Sequence, residues 1–386
     1  MALSLTPAHL ALRTIEDVSR GDQDPATTSV VPSVPAPPPT KKSQIGALMV
    51  RGSAQTPAQL QARSKRDVAR GLEDIVVSCE QLLAELAKWP RDPRALLDHN
   101  LVPVNLSDAD GTLWSVNLGG VVIRELGQRG RFRPEVRPFL DGALRILDLE
   151  PTGLDLPDRG VNQDMLRMLK AFKEWLKREP VGEDARRCHQ LGADMFAWIF
   201  AGHTEAEVLA LSHEAIDAAG FAGKFFEGAQ EMIGALKGLG IHTEVISAGF
   251  EPMIRAAAIR LGIEPEHVHG TRSKLDAEGR ITGEPLRIAT GAEKASLARE
   301  IVERRALELG ASSARLGALR PLLAHGDSPS VNDRDLLELA HLAIVVEPES
   351  KLDIESALER HSDGRSVFVL DYPATVDGEP AGRFAQ

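Results

Sequence analysis

The spacing of apolar residues changes its period along the chain, and each change predicts a different kind of element. Between Thr56 and Pro90, the residues Val68, Leu72, Ile75, Cys79, Leu82, Leu86 and Trp89 recur at four-three intervals, which draws one apolar seam along a helix. Thr56 is placed to cap that helix, Pro57 to occupy its first position and Pro90 to stop it. The seam must be covered, either by the chain's own core or by a second copy, so a homodimer through residues 60–89 is one expectation. From about residue 99 short strands alternate with helices. Val102, Val104 and Leu106 mark a strand, with Pro103 tolerable near its start.

Residues 117–227 carry helical signals and no convincing strand. Leu191, Met195, Trp198 and Ile199 share one face, and Thr204 with Glu207 forms a capping box. Ala229, Met232, Ile233 and Leu236 then mark an amphipathic helix leading into an apolar strand at 244–246. Residues 267–286 read as a hairpin around D-A-E-G, and GAEKASLAREIVE opens a helix with Lys294 near its start. A strand ends at Gly326-Asp327, and the apolar runs LAIVV (342–346) and SVFVL (366–370) read as buried parallel strands.

Composition narrows the class of protein. The 386 residues, 43% of them hydrophobic, can bury a substantial core. Against 56 acidic groups stand 45 basic ones, a net charge of −11, and with no basic stripe this disfavours nucleic acid as a partner. Cys79 and Cys188 lie in unrelated segments, which suggests neither a disulfide framework nor a zinc site and fits a reducing compartment. The start lacks a basic leader pattern, and no apolar run approaches the roughly 20 residues of a spanning helix. A cytoplasmic protein without membrane contact is expected. Residues 1–45, ending in DPATTSVVPSVPAPPPTKK, read as a disordered Pro-rich tail. The expected organisation continues with a helical extension at 46–98, a core at 99–116 and 228–375, a helical insert at 117–227 and a tail at 376–386.

The chemistry gathers on NLSDADGTLW, residues 105–114. A strand ending in D-x-D-G-T delivers Asp108 and Asp110 to the carboxyl edge of a sheet, where open α/β folds keep their sites. Gly111 permits a tight turn, and Thr112 offers a hydroxyl and an N–H to an anion. The same residues also suit a solvated turn. Later strand ends supply Ser247-Ala248-Gly249 and Asp327, followed by Asp333 and Asp335, and a helix supplies Lys294. Taken singly, Ser247 reads as a helix cap and Lys294 as a solvated lysine. Together with the carboxylates they suit an anionic substrate and a divalent cation. His267, His269 and His325 lack a further ligand and read as ordinary strand residues.

SDADGTLW, VISAGFEPMI, GAEKASLARE and AHGDSPSVNDRDLL, in that order, resemble the four motifs of the haloacid dehalogenase-like phosphohydrolases, and VHGTRSKLDAEGRITGE resembles the phosphoserine and phosphorylcholine phosphatase type. The resemblance spans roughly residues 100–372. It implies an α/β fold with a doubly wound, Rossmann-like parallel sheet and an inserted helical cap. It implies a Mg²⁺-dependent phosphatase of a small phosphorylated metabolite, with Asp108 as nucleophile and Asp110 as acid and base. Ser247, Ala248, Gly249, Thr112 and Lys294 would hold the phosphoryl group, and Asp108, Asp327, Asp333 and the main-chain carbonyl of Asp110 the Mg²⁺. A phosphotransferase of the same fold and a catalytically weak interaction protein are the alternatives.

Two departures matter. Asp333 follows Asp327 one residue later than the pattern sets, so the loop must bulge, and Asp335 competes for its place. Asn117 stands where phosphoserine phosphatases have a glutamate. Trp114, Asn117 and Trp198 are the candidates for substrate specificity. With Phe196 and Phe200, the tryptophans suit either an aromatic box for a quaternary ammonium or core packing.

Overall fold

The computed structural model describes residues 76–77, 79–152, 157–176, 178, 182–226, 228–327, 333–346 and 366–370. Both expected tails and the helix signals at Thr56, Pro57, Val68, Leu72 and Ile75 lie outside them. Eight strands form one sheet: β1 (Val76–Val77), β2 (Leu101–Ser107), β3 (His242–Phe250), β4 (Val268–Leu275), β5 (Ile281–Arg287), β6 (Arg320–Gly326), β7 (Leu342–Val346) and β8 (Ser366–Leu370). Their spatial order is β1-β8-β7-β6-β2-β3-β4-β5. All neighbours are parallel except the β4–β5 hairpin.

The helices are α1 (Cys79–Leu86), α2 (Pro93–Leu97), α3 (Leu118–Gln128), α4 (Arg137–Ile146), α5 (Pro157–Leu176), α6 (Gly182–Trp198), α7 (Glu205–Ala218), α8 (Ala229–Gly238), α9 (Glu251–Ala258), α10 (Gly291–Glu308) and α11 (Arg334–Leu339). Both faces of the sheet are covered, which is why β2 and β7 are buried along their whole length. Val104, Leu106, Ile246, Ala324 and Val345 pack against Leu297, Ile301 and Leu336 of α10 and α11. Leu323, Ile344 and Val346 share a second cluster with Leu82 and Leu86 of α1 and Met232 and Leu236 of α8.

The expected long helix gives way to shorter pieces. Val76 and Val77 pair in parallel with Val369 and Leu370, an extended partnership that adjacent β-branched residues favour, so the helix begins only at Cys79. It ends at Leu86 rather than at Pro90, and Trp89 instead sets its ring edge-on to His341, centroids 5.2 Å apart. Leu82 and Leu86 of the apolar seam are 1% and 2% exposed within this chain's own core. The strand expected at 244–246 runs on through Ser247, Ala248 and Gly249 to Phe250, with its register to β4 shifting between Ile246 and Phe250.

Between β2 and β3 the described residues form helices α3 to α8 and no strand. Thr204 caps α7 with the reciprocal capping box, Glu207 N–H to Thr204 Oγ1 and Thr204 N–H to Glu207 Oε2. Leu191, Met195, Trp198 and Ile199 are buried in one cluster with Phe250 at the end of β3 and Met253 and Ile254 of α9. The hairpin adds a clamp: Gly202 N–H donates to Ile281 O, and Ile281 N–H to His203 O, both at 2.8 Å. Among the described residues no helix is long and apolar enough to cross a membrane.

His267 and His269 find a partner on the next strand. The Glu244 carboxylate, 2% exposed, lies 3.1 Å from His267 Nδ1 and 2.8 Å from His269 Nε2, and accepts from Arg304 Nη2 at 3.1 Å. Burial pushes the Glu244 carboxyl up, but the hydrogen bonds and charges of the two histidines outweigh it and hold it at about 2. The bond to Glu244 raises His267 above its ordinary value, against its own burial. The carboxylate's contribution is therefore present above its ordinary range and lost as pH falls toward 2. That of His267 is present below its ordinary value and lost as pH rises through its raised one. Glu244→Gln is expected to destabilise the fold by about 1–3 kcal/mol near pH 5.5. Urea unfolding should show a smaller deficit at pH 9, and a deficit that grows with pH would contradict the assignment.

Candidate active site

β2 is the strand at which the chain order reverses, and β6 and β3 flank it; open α/β sheets bind ligands at the carboxyl end of such a strand. Ser107 is level with His325 of β6 and with Val245 of β3. Asp108 and Asp327 therefore follow the ends of β2 and β6, and Ser247 stands beside them in the last part of β3, at one edge of the sheet. Asp108 N–H donates to His325 O at 2.9 Å, and Ser107 Oγ to Asp108 O at 2.7 Å, which fixes the strand end. His325 is held in turn by Nδ1 against Asn105 Oδ1 at 2.6 Å.

Two glycines let the acids converge. Gly111 has φ +77°, and a Cβ there would lie 2.0 Å from Asp327 Oδ2; a Cβ on Gly326 would lie 2.6 Å from that of Asp333. Any larger residue would push a carboxylate out. Asp333, fully buried, stands at the start of α11. Lys294, 2% exposed, reaches from α10 and donates to Asp108 Oδ1 at 2.6 Å and Asp333 Oδ1 at 2.5 Å. Carboxylate oxygens of Asp108, Asp327 and Asp333 lie within 4.8 Å of one another.

This crowding has an electrostatic cost that one ammonium does not cancel. Burial first, then the charge of Asp333, pushes Asp108 up to about 7 in spite of Lys294. Burial and the charges of Asp108 and Asp333 push Asp327 up to about 9. Lys294 moves the other way: burial disfavours its charge, but the two carboxylates outweigh that and raise it. Three converging, under-neutralised oxygen donors are the donor set a hard divalent cation takes, and they fit Mg²⁺.

Asp110 lies beside this group with a different role. Trp114 Nε1 and the Leu118 N–H both donate to its Oδ1, the latter at 3.1 Å. Burial pushes Asp110 up to about 6 against both bonds. Its carboxyl is thus held in one orientation and titrates close to neutrality.

The other expected residues divide. Ser247 is 3% exposed, and its Oγ accepts from Gly249 N–H at 3.2 Å rather than capping α9, which has no side-chain cap. Ala248 O accepts from Thr271 Oγ1 at 2.7 Å. Thr112 is fully buried, its N–H closes a turn onto Ala109 O, and its Oγ1 makes no hydrogen bond among the described residues. Asn117 caps α3 by accepting from Gly120 N–H at 2.7 Å. Trp114 and Trp198 are spent on packing: Trp114 is fully buried between Phe221 and Phe225, and Trp198 stacks on Phe139 with 6.2 Å between centroids. Phe200 is buried as well. Asp335 stands outside the carboxylate cluster. The indole bond of Trp114 to Asp110 went unread, although the interval of four residues allows it.

The family model described as haloacid dehalogenase-like hydrolase matches residues 162–338. No curated protein matches the chain. Among solved structures, a protein of unknown function from Bordetella pertussis Tohama I is 18% identical, with 69% of this chain and 97% of that one covered at a TM-score of 0.47. One from Anaerococcus prevotii DSM 20548 is 15% identical, covering 75% and 89% at 0.46. A phosphoserine phosphohydrolase-like protein from Francisella tularensis subsp. tularensis SCHU S4 is 16% identical, covering 69% and 94% at 0.36.

Lys294→Met would leave Asp108 and Asp333 facing each other without the ammonium between them. Without divalent cations, urea unfolding at pH 7 is expected to show a loss of about 3 kcal/mol, shrinking at pH 5 as the carboxyls protonate. An unchanged midpoint would show that the triad does not hold this edge together.

Proposed function

We propose that this chain, whose residues 162–338 match the haloacid dehalogenase-like hydrolase model, is a Mg²⁺-dependent phosphatase of a small phosphomonoester, working through a phosphoaspartate on Asp108. The observation that supports this most directly is Lys294 Nζ between Asp108 Oδ1 and Asp333 Oδ1, with Asp327 in the same carboxylate group. A carboxylate attacks a phosphate dianion only when their mutual repulsion is cancelled. Asp108, Asp327, Asp333 and the main-chain carbonyl of Asp110 would hold the Mg²⁺. When bound, the cation supplies positive charge against both the carboxylates and the phosphoryl oxygens.

An Asp108 carboxylate oxygen forms a bond to phosphorus as the bond to the leaving alcohol breaks. Asp110, pushed up to about 6 by burial, keeps a usable share of its acid form near neutrality and gives its proton to that alcohol oxygen. The carboxylate left behind then takes a proton from water. That water attacks phosphorus, and the phosphorus–Asp108 bond breaks to free inorganic phosphate. Trp114 and the Leu118 N–H hold Oδ1 of Asp110, leaving its second oxygen for the transfer. Since Ser247 Oγ already accepts from Gly249 N–H, its own proton is available to a phosphoryl oxygen.

Asp108→Asn should lower p-nitrophenyl phosphate turnover by about three orders of magnitude or more. Stripping divalent cations with a chelator should silence the wild type, and added Mg²⁺ should restore it. Full activity in Asp108→Asn would rule out this nucleophile, and activity indifferent to the chelator would rule out the cation.

A further inference from the structure

β3 and β4 fall out of step where β3 enters the site. Ile246 is level with His269, yet Phe250 is level with Thr271, so Ser247, Ala248 and Gly249 together stand opposite Gly270. A bulge of this kind breaks the ladder and re-aims side chains. The two backbones touch there: a Cβ on Gly270 would lie 2.7 Å from Gly249 O. Polar groups of the bulged residues must therefore find partners outside the ladder.

Thr271 provides one. It is fully buried, and its hydroxyl donates to Ala248 O at 2.7 Å while accepting from Ala289 N–H at 3.2 Å. Ala248 O and Gly249 N–H are the two ends of one planar peptide, and that N–H donates to Ser247 Oγ at 3.2 Å. Fixing the oxygen thus fixes the direction of the N–H. The bonds run in one sense, from Ala289 N–H through Thr271 and the peptide to Ser247 Oγ, and hydrogen bonds aligned in this way polarise one another. The Ser247 proton is the free end of the chain. A glycine at 249 offers little resistance to rotation of the peptide, which makes the bond from Thr271 the restraint.

Resting on the phosphatase reading above, in which Ser247 holds a phosphoryl oxygen, we infer that Thr271 is a positioning residue whose hydroxyl, by gripping Ala248 O, aims the Ser247 hydroxyl at the phosphoryl group. The same hydroxyl ties this part of β3 to Ala289, just before the helix α10 that carries Lys294. The two phosphate-facing groups then share one anchor.

The test reads the inhibition constant of inorganic phosphate against p-nitrophenyl phosphate turnover by the full chain with Mg²⁺, a quantity independent of how much of a preparation is folded. Ser247→Ala should raise it about tenfold, as for the loss of one hydrogen bond to a charged oxygen. Thr271→Val and Thr271→Ala both remove the second hydroxyl, the first with little change of shape, and should raise it by about the same factor. Thr271→Ser should stay within about twofold of the wild type. The double variant Ser247→Ala/Thr271→Val should bind phosphate no more weakly than Ser247→Ala, because the second change acts only through Ser247. An unchanged constant in Thr271→Val or Thr271→Ala, a Thr271→Ser variant as weak as Thr271→Val, or effects that multiply in the double variant would overturn the inference alone. A constant unmoved by Ser247→Ala, or a wild type that does not turn over p-nitrophenyl phosphate, would remove the reading on which it rests.

Discussion

Like charges held too close are the constraint from which the rest of this structure follows. Asp108, Asp327 and Asp333 come from two strand ends and a helix start, and their oxygens converge within 4.8 Å of one another, with Asp333 fully buried and Asp327 half-buried. Buried carboxylates repel strongly, and here burial and mutual charge push Asp327 up to about 9. Lys294 donates to Asp108 and Asp333 and acts on Asp327 through its charge, which does not outweigh the other two acids and burial. Gly111 and Gly326 are glycines because the neighbouring carboxylates occupy the space a side chain would take. The hydrogen bond from Asp108 N–H to His325 O then locks the two strand ends in register.

The helical layer between β2 and β3 serves the same edge from above. Its interior is continuous with the end of β3 and with α9 through Phe250, Met253 and Ile254, and the hairpin ties it down at Gly202 and His203. Trp114 gains its place in the same way: Phe221 and Phe225 bury its ring, and its N–H reaches back to Asp110. Packing and the orientation of the Asp110 carboxylate are thus one arrangement.

Strands and helices with a full apolar period were legible in the amino-acid sequence. LAIVV and SVFVL, read as parallel strands, pair in parallel with each other, and Thr204 with Glu207 forms the capping box their spacing announced. What escaped were decisions taken by distant residues. Four-three spacing across Val76 and Val77 reads as helix until SVFVL offers them a strand to pair with. His267 and His269 lacked a third partner until Glu244 arrived from β3. Of the site, Asp108, Asp110, Lys294 and Asp327 stood at element ends where chemistry is expected. The choice between Asp333 and Asp335 depended on which one Lys294 reaches, a contact across 39 residues that spacing alone does not encode.

The account stands on the carboxylate group needing positive charge beyond Lys294, and cation-dependent stability measures that need without reference to turnover. The melting temperature of the wild type at neutral pH is expected to rise by about 3–5 °C in saturating Mg²⁺, while Asp327→Asn, with one repelling carboxylate removed, melts at the same temperature with or without the cation. A wild type indifferent to Mg²⁺, or an Asp327→Asn variant that responds as strongly, would contradict it.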